Sequence, residues 1–318
     1  MKNLIFKNSD NFPILGLGTW KSAAGDVYGA VREAIKMGYR HIDCAPLYMN
    51  EPEIGLAIKD AISDGDVTRE ELWITSKLWN NAHGKENVVP ALKKTLADLQ
   101  LKYIDLWLIH WPVALKPGIS FPRFPSDYRS LEEVPITNTW EGMEMAVEQG
   151  LTRHIGVSNF SIKKITEILS KCEIKPEVNQ VELHPLLQQK KLVEFCKNEG
   201  IVMTAYSPLG SKDRSPSMKS EEEQDMMKNP VIVQIAEKHN CSPAQILLAW
   251  HVNNGIAVIP KSVNQQRLLE NLKAADVVLL KDDMSAIAEL DKNFRFVNGK
   301  FWAMPGCPYT YNNLWDEE

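Results

Sequence analysis

The chain has no C-x-x-C pair and only five cysteines in 318 residues, Cys44, Cys172, Cys196, Cys241 and Cys307. An odd and scattered set argues against a disulfide framework and points to a reducing compartment, the cytosol. Residues 1–7 lack the long apolar core of a secretory leader, and nowhere do about 20 apolar residues run uninterrupted, so neither export nor a membrane span is expected. Basic clusters are missing too. Lys and Arg number 36 against 41 Asp and Glu, a net charge of -5, which gives a phosphate backbone no electrostatic footing. His41, His83, His154, His184, His239 and His251 form no H-E-x-x-H or other ligand spacing, so no catalytic metal is expected. Gly16-Leu17-Gly18-Thr19-Trp20 lacks the third glycine of a G-x-G-x-x-G turn. The one marked charge run, Glu221-Glu222-Glu223, reads as a solvated loop.

What is present is ordinary globular material, 44% hydrophobic and 24% charged, organised as alternating apolar runs and amphipathic stretches. The runs are Ile14–Gly18, Tyr39–Asp43, Leu72–Lys77, Ile104–His110, His154–Ser158, Val178–Val181, Val202–Tyr206 and Ala257–Pro260. Between them lie helical patterns such as Asp26–Met37, Glu51–Ser63, Glu86–Leu99, Thr139–Gln149, Ile162–Leu169 and Gln189–Asn198. Repeated strand and helix units predict a parallel sheet, and eight of them predict a closed (α/β)8 TIM barrel, a single domain over residues 1–318. Leu4-Ile5-Phe6 and Ile14-Leu15, separated by polar residues, predict an N-terminal β-hairpin that plugs the barrel. Residues 113–138, 210–229 and a tail from 293 to 318 are longer than barrel connections require, and loops of that length on the catalytic face are expected to wall the substrate pocket. The tail is rich in large aromatics but interrupted by Pro305-Gly306 and Pro308, so it is expected to be an ordered loop, neither helix nor strand, packed over the catalytic face near Trp20 and Trp111.

Asp43, Tyr48, Lys77 and His110 each lie just beyond or at the end of an apolar run, where a parallel barrel displays its chemistry. A hydride adding to a carbonyl leaves an alkoxide that needs a proton. Tyr48 can donate it. A phenol near pKa ~10 is a reluctant acid, and an ammonium such as Lys77, held by Asp43, favours the phenolate left behind. His110 would orient the carbonyl oxygen. Taken alone, Asp43 and Lys77 are as readily a structural ion pair, and His110 a core histidine.

The strings Gly38-Tyr39-Arg40-His41-Ile42-Asp43-Cys44-Ala45, Ile74-Thr75-Ser76-Lys77-Leu78-Trp79 and Asp105-Leu106-Trp107-Leu108-Ile109-His110-Trp111-Pro112 closely resemble the aldo-keto reductases. So do Ile155 to Phe160, Asn179 to Glu182, Ala205 to Gly210 and Ile259 to Ser262. The resemblance spans nearly the whole chain and implies NADPH-dependent reduction of aldehydes, plausibly aldoses, to alcohols. It also implies a nicotinamide ring stacked on Tyr206 with its carboxamide bonded by Ser158, Asn159 and Gln180, and a cofactor track that includes Gly18, Thr19, Trp20, Asp43, Ser207 and Leu209. Lys261 and Arg267 would flank the 2′-phosphate, helped by Ser262, Val263 and a helix start near Asn264, with Glu270 and Asn271 at the adenine. This favours NADP over NAD, with NADH as the weaker alternative. Trp20, Trp79, Trp111 and Trp302 are expected around the substrate together with His110. Lys300-Phe301-Trp302 is reminiscent of sugar-phosphate and polyol-forming reductases, and Asn80, Asn81, Asp127 or Asn312 are candidate partners for sugar hydroxyls. A monomeric, cytoplasmic enzyme is expected, acting on a small molecule with no nucleic-acid or membrane partner. The rival reading is an NADPH-binding barrel that acts as a sensor or regulatory subunit with little turnover.

Overall fold

The computed structural model describes residues 2–6, 8–215, 218–219 and 223–316. Its largest sheet has eight strands in chain order: Leu17–Gly18, His41–Asp43, Trp73–Leu78, Ile104–Ile109, Thr152–Ser158, Val178–Glu182, Val202–Tyr206 and Ala257–Val258. Neighbours pair in parallel. Parallel bridges from Leu15 to Val258 and from Gly18 to Lys261 join the last strand to the first, so the sheet closes into the expected barrel. Closure requires glycine. A Cβ on Gly18 would stand 2.7 Å from the Ile259 carbonyl oxygen, and one on Gly16 would stand 2.6 Å from His41 Nδ1.

The strands Trp73–Leu78 and Ile104–Ile109 are buried along their length, which is why they read as continuous runs rather than as alternations. The carboxylate buried in the second of them is paired. Asp105, within Ile104–Ile109, accepts hydrogen bonds from Arg69 at 2.7 Å and from the Ile74 amide at 2.9 Å. Helices Asp26–Met37, Glu51–Ser63 and Ile162–Leu169 have the boundaries expected from their periodicity, while Lys85–Asp98, Ile136–Glu148 and Lys190–Glu199 differ by a few residues. Four further helices, Pro230–Lys238, Pro243–Asn253, Gln265–Lys273 and Lys281–Ala288, complete the outer layer around the last strand.

The amino-terminal hairpin pairs Asn3–Ile5 with Asn11–Pro13. It plugs the bottom of the barrel through Phe6, which stacks on His154 at 4.6 Å and on Trp73 at 5.5 Å. The His154 ring is also held at both nitrogens, by Glu177 at 2.8 Å and Asp10 at 2.9 Å. Burial pulls the His154 pKa down, but the two carboxylates outweigh it and the net shift is upward. For Asp10, burial pushes up, while His154 and Arg153 outweigh it and the net shift is downward. The histidine's share of stability is therefore complete below its unfolded pKa of about 6.5 and lost as pH rises through its raised folded value. We expect Asp10→Asn to cost about 1 kcal/mol at pH 6 and less once pH has risen through the raised folded value and His154 has lost its charge, a difference that urea unfolding across a pH series measures.

Two expectations need correction. The tail is not wholly loop: beyond Pro308 it forms a short helix, Tyr311–Trp315, because the Thr310 hydroxyl accepts from the Asn313 amide and Asn313 bonds back to the Thr310 amide. The acidic run is not simply solvated where it is described, since Glu223 pairs with Arg214 at 2.7 Å; Glu221 and Glu222 lie outside the described residues. All five cysteines are free. Among the described residues no helix is long and apolar enough to cross a membrane.

Candidate active site

Side chains alternate along a strand, so residues two apart share a face. At the carboxyl ends of the barrel strands this puts Gln180 and Glu182 on one face of their strand and brings Gln180 to Asp43, the partner of Lys77. Lys77 is fully buried; its Nζ donates to Asp43 Oδ1 at 2.6 Å and to the Cys44 carbonyl at 2.8 Å. The other oxygen of Asp43 accepts from Gln180 Nε2 at 2.7 Å. The ion pair is thus fixed on both sides, and Lys77 Nζ lies 5.3 Å from the centroid of the Tyr48 ring. Tyr48 reaches the site from a single turn, Pro46–Tyr48, directly after the second strand.

Tyr48 and His110 meet edge to face with ring centroids 6.0 Å apart. Burial, and then the negative charge of Asp43, pushes the Tyr48 phenol well above its usual pKa. The resting balance is opposite to the lowering expected from Lys77 alone, and it keeps the phenol loaded with its proton. Burial, followed by the charge of Lys77, pulls His110 well below 6.5, so the imidazole is neutral. Its Nδ1 is buried with no partner, which leaves the other ring nitrogen to face the cleft.

From this point a cleft of about 730 Å³ crosses the barrel mouth. One arm is lined by Gly18, Ser158, Asn159, Gln180, Tyr206, Ser207, Leu209, Lys261, Ser262, Val263 and Arg267, with Asp43 at its base. Asn159 adopts a positive φ of 65° and ties this arm together. Its Nδ2 donates to the His110 carbonyl at 2.9 Å, and its Oδ1 accepts from the Tyr206 hydroxyl at 2.7 Å. At the far end Asn264 caps the helix Gln265–Lys273 by accepting from the Arg267 amide at 3.0 Å, which sets Arg267 exposed beside Lys261 at a helix N-terminus. Thr19, Glu270 and Asn271 do not line the cleft. Thr19 is spent on the Asp43 carbonyl at 2.8 Å, Glu270 accepts from Gln266 at 3.0 Å, and Asn271 is buried.

The other arm is aromatic. Trp20 lines the cleft, and Trp79, Trp111 and Trp302 build this arm with Leu47, Phe121 and Phe301. The segment 113–138 supplies Phe121, and its backbone accepts from the Trp79 indole at Ser120, 2.8 Å away. Of the two tryptophans expected beneath the tail, Trp20 and Trp111, the ring contacts are with Trp111: Trp302 lies 6.0 Å, Phe301 5.7 Å and Trp315 5.8 Å from it. The expected sugar partners are misplaced. Asn80, Asn81, Asp127 and Asn312 do not line the cleft; Asn80 is fully buried, and Asp127 is occupied by the amides of Arg123 and Phe124.

Several residues were not singled out from the sequence. Glu182, buried, accepts from the amides of Phe296 at 2.6 Å and Val297 at 2.7 Å, and so anchors the start of the tail against the barrel. Its period-two spacing from Gln180 was the available signal. Lys212 and Asp213, from the segment 210–229 expected to wall the substrate pocket, instead line the cofactor-sized arm. Lys21 donates to the Asp213 carbonyl at 2.9 Å and Lys261 lies 3.9 Å from the Asp213 carboxylate, a polar bridge over the cleft that no local pattern announces. Among the described residues no group of three His, Cys, Asp or Glu is placed to hold a metal ion.

Residues 14–292 match the model of the aldo/keto reductase family. The chain is 51% identical over 317 residues to an aldo/keto reductase of Synechocystis sp., covering 100% of this chain and 97% of that protein. It is 46% identical to aldo-keto reductase family 1 member A1 of Bos taurus, over 92% of this chain and 90% of the relative. Among solved structures, the aldose reductase from Schistosoma japonicum superposes with a TM-score of 0.88 at 38% identity, covering 97% of this chain and 99% of that one.

Proposed function

Because the chain belongs to the aldo/keto reductase family and is an oxidoreductase of carbonyl groups, we propose that it reduces aldehydes to alcohols with NADPH, with Tyr48 as the proton donor. One observation carries this reading. A loaded phenol, a buried ammonium and carboxylate pair, and a neutral imidazole converge at the inner end of a cleft whose outer end presents Lys261 and Arg267.

The arm from Tyr206 to Arg267 fits a dinucleotide: an aromatic face flanked by Ser158, Asn159 and Gln180 at the inner end, and two cations at a helix N-terminus at the outer end. When bound, the cofactor would supply the hydride. Tyr206 would offer its ring as the stacking face, while Lys261, Ser262 and Arg267 would hold the 2′-phosphate that distinguishes NADPH from NADH. His110, neutral and facing the cleft, donates a hydrogen bond that orients the carbonyl oxygen. As that oxygen gains charge, Tyr48 passes it the phenolic proton, and Lys77, tied to Asp43, stabilises the phenolate left behind. The free cysteines fit work in the reducing cytosol, and we read the chain as one barrel domain acting as a monomer on a small molecule.

The cofactor assignment is tested by Arg267→Ala. Affinity for NADPH should fall roughly 10- to 100-fold, the worth of charge-assisted hydrogen bonds, while NADH affinity stays within about twofold. Equal losses for the two cofactors, measured by fluorescence titration, would place the phosphate elsewhere.

A further inference from the structure

Resting on the reading that Tyr48 donates the proton, we infer that Glu51 is a positioning residue for it, the centre of a buried clamp that ties the donor's turn to the segments carrying Asp43 and Lys77. Tyr48 must keep its hydroxyl for the substrate, so its place has to come from the backbone. The turn Pro46–Tyr48 cannot supply that alone. Its hydrogen bonds, from the Tyr48 amide to the Ala45 carbonyl and from the Met49 amide to the Pro46 carbonyl, are internal to it. Met49, which leaves the turn, is 89% exposed with a positive φ of 55°. The next two residues, Asn50 and Glu51, are both buried.

Asn50 reaches one way. Its Nδ2 donates to the Thr19 carbonyl at 3.0 Å, and Thr19 holds the Asp43 carbonyl through its hydroxyl at 2.8 Å and its amide at 3.2 Å. Glu51 reaches the other. It opens the helix Glu51–Ser63; its Oε1 accepts from the Ser76 hydroxyl at 2.5 Å, and its Oε2 accepts from the hydroxyl of Thr95, in the helix Lys85–Asp98, at 3.3 Å. Ser76 and Lys77 are neighbours in one strand and so point to opposite faces, Lys77 to Asp43 and the Tyr48 ring, Ser76 outward to Glu51. The donor's turn is thereby tethered to both halves of the ion pair beneath it. A carboxyl suits the task because its two oxygens let one side chain hold a strand and a helix at once. Burial pushes the Glu51 carboxyl up to about 7 although the two hydroxyls pull it down, so near neutrality it is in part protonated, a form that glutamine imitates.

The test measures kcat with benzaldehyde, and the dissociation constant of NADPH, for Glu51→Leu and Glu51→Gln, each in the wild type and in Tyr48→Phe. Glu51→Leu removes both acceptors, and kcat should fall roughly 10- to 100-fold, the order of loss when a reacting group shifts by up to about an ångström, while NADPH affinity stays within about twofold. Glu51→Gln keeps an acceptor for Ser76 and an amide for Thr95, and should bring kcat back to within about threefold of the wild type. Because the clamp acts through the phenol, Glu51→Leu should cost less than about twofold once Tyr48→Phe has removed it. An equal loss in both backgrounds would make Glu51 a general structural residue and overturn the inference. So would a folded Glu51→Leu with unchanged kcat, or a Glu51→Gln as damaged as Glu51→Leu. If Glu51→Leu does not fold, Ser76→Ala breaks the same link from the strand side and is judged by the same comparison of backgrounds. A wild type that oxidises NADPH with no aldehyde of a broad panel would instead sink the reductase reading itself, and the clamp's catalytic role with it.

Discussion

Replacing Tyr48 with phenylalanine should lower kcat by ~10²- to 10⁴-fold, the usual loss when a positioned general acid is removed, while leaving NADPH binding nearly unchanged. The phenol is held well above its normal pKa by burial and by Asp43, so in the resting protein it is neutral across the working pH range. Only the hydroxyl is deleted, and the ring contact with His110 at 6.0 Å can persist. Steady-state kinetics with any good aldehyde substrate measures the effect. A variant that keeps more than half the wild-type rate would remove Tyr48 from the role of donor, provided that the chemical step limits turnover.

The second large effect is expected at Lys77. Lys77→Met retains length and much of the volume but leaves Asp43, 2% exposed, as a buried carboxylate with only Gln180 as a charge-free partner. Breaking a buried pair from one side costs about 3–5 kcal/mol in stability, and activity should fall as well. The two consequences can be separated by the double variant Lys77→Met, Asp43→Asn. Neutralising the orphaned carboxylate should recover much of the stability in urea unfolding, because neighbouring charges are strongly coupled. Turnover should not return. Recovery of both would make the pair purely structural, the alternative that the isolated sequence left open.

Much of this was readable before any coordinates. Continuous apolar runs at regular intervals mark strands buried on both faces, and the long helices between them carry their own boundary signals, such as Gly38 after Met37 and Pro at the second position of Glu51–Ser63. Asp43, Tyr48, Lys77 and His110 were legible because barrel topology collects strand ends at one place, and the structure brings all four together. What stayed hidden depends on contacts between segments distant in sequence. No local pattern shows that Glu182 receives the amides of Phe296 and Val297, that Lys21 reaches Asp213, or that Phe121 lies flat on Trp302. The polar residues expected to greet a sugar failed for a related reason. Asn80 sits one residue beyond Trp79, yet its turn sends it into the protein interior rather than into the cleft.

In the function proposed above, this cleft couples oxidation of a reduced nicotinamide to protonation of a carbonyl. The direct measurement mixes the full chain with NADPH and benzaldehyde, follows the reduced-nicotinamide absorbance, and quantifies benzyl alcohol in the same samples. The predicted result is a steady loss of NADPH matched mole for mole by alcohol, and both abolished together when the aldehyde is omitted. Tight NADPH binding with no absorbance loss across a broad panel of aldehydes, or loss of NADPH without alcohol, would contradict it.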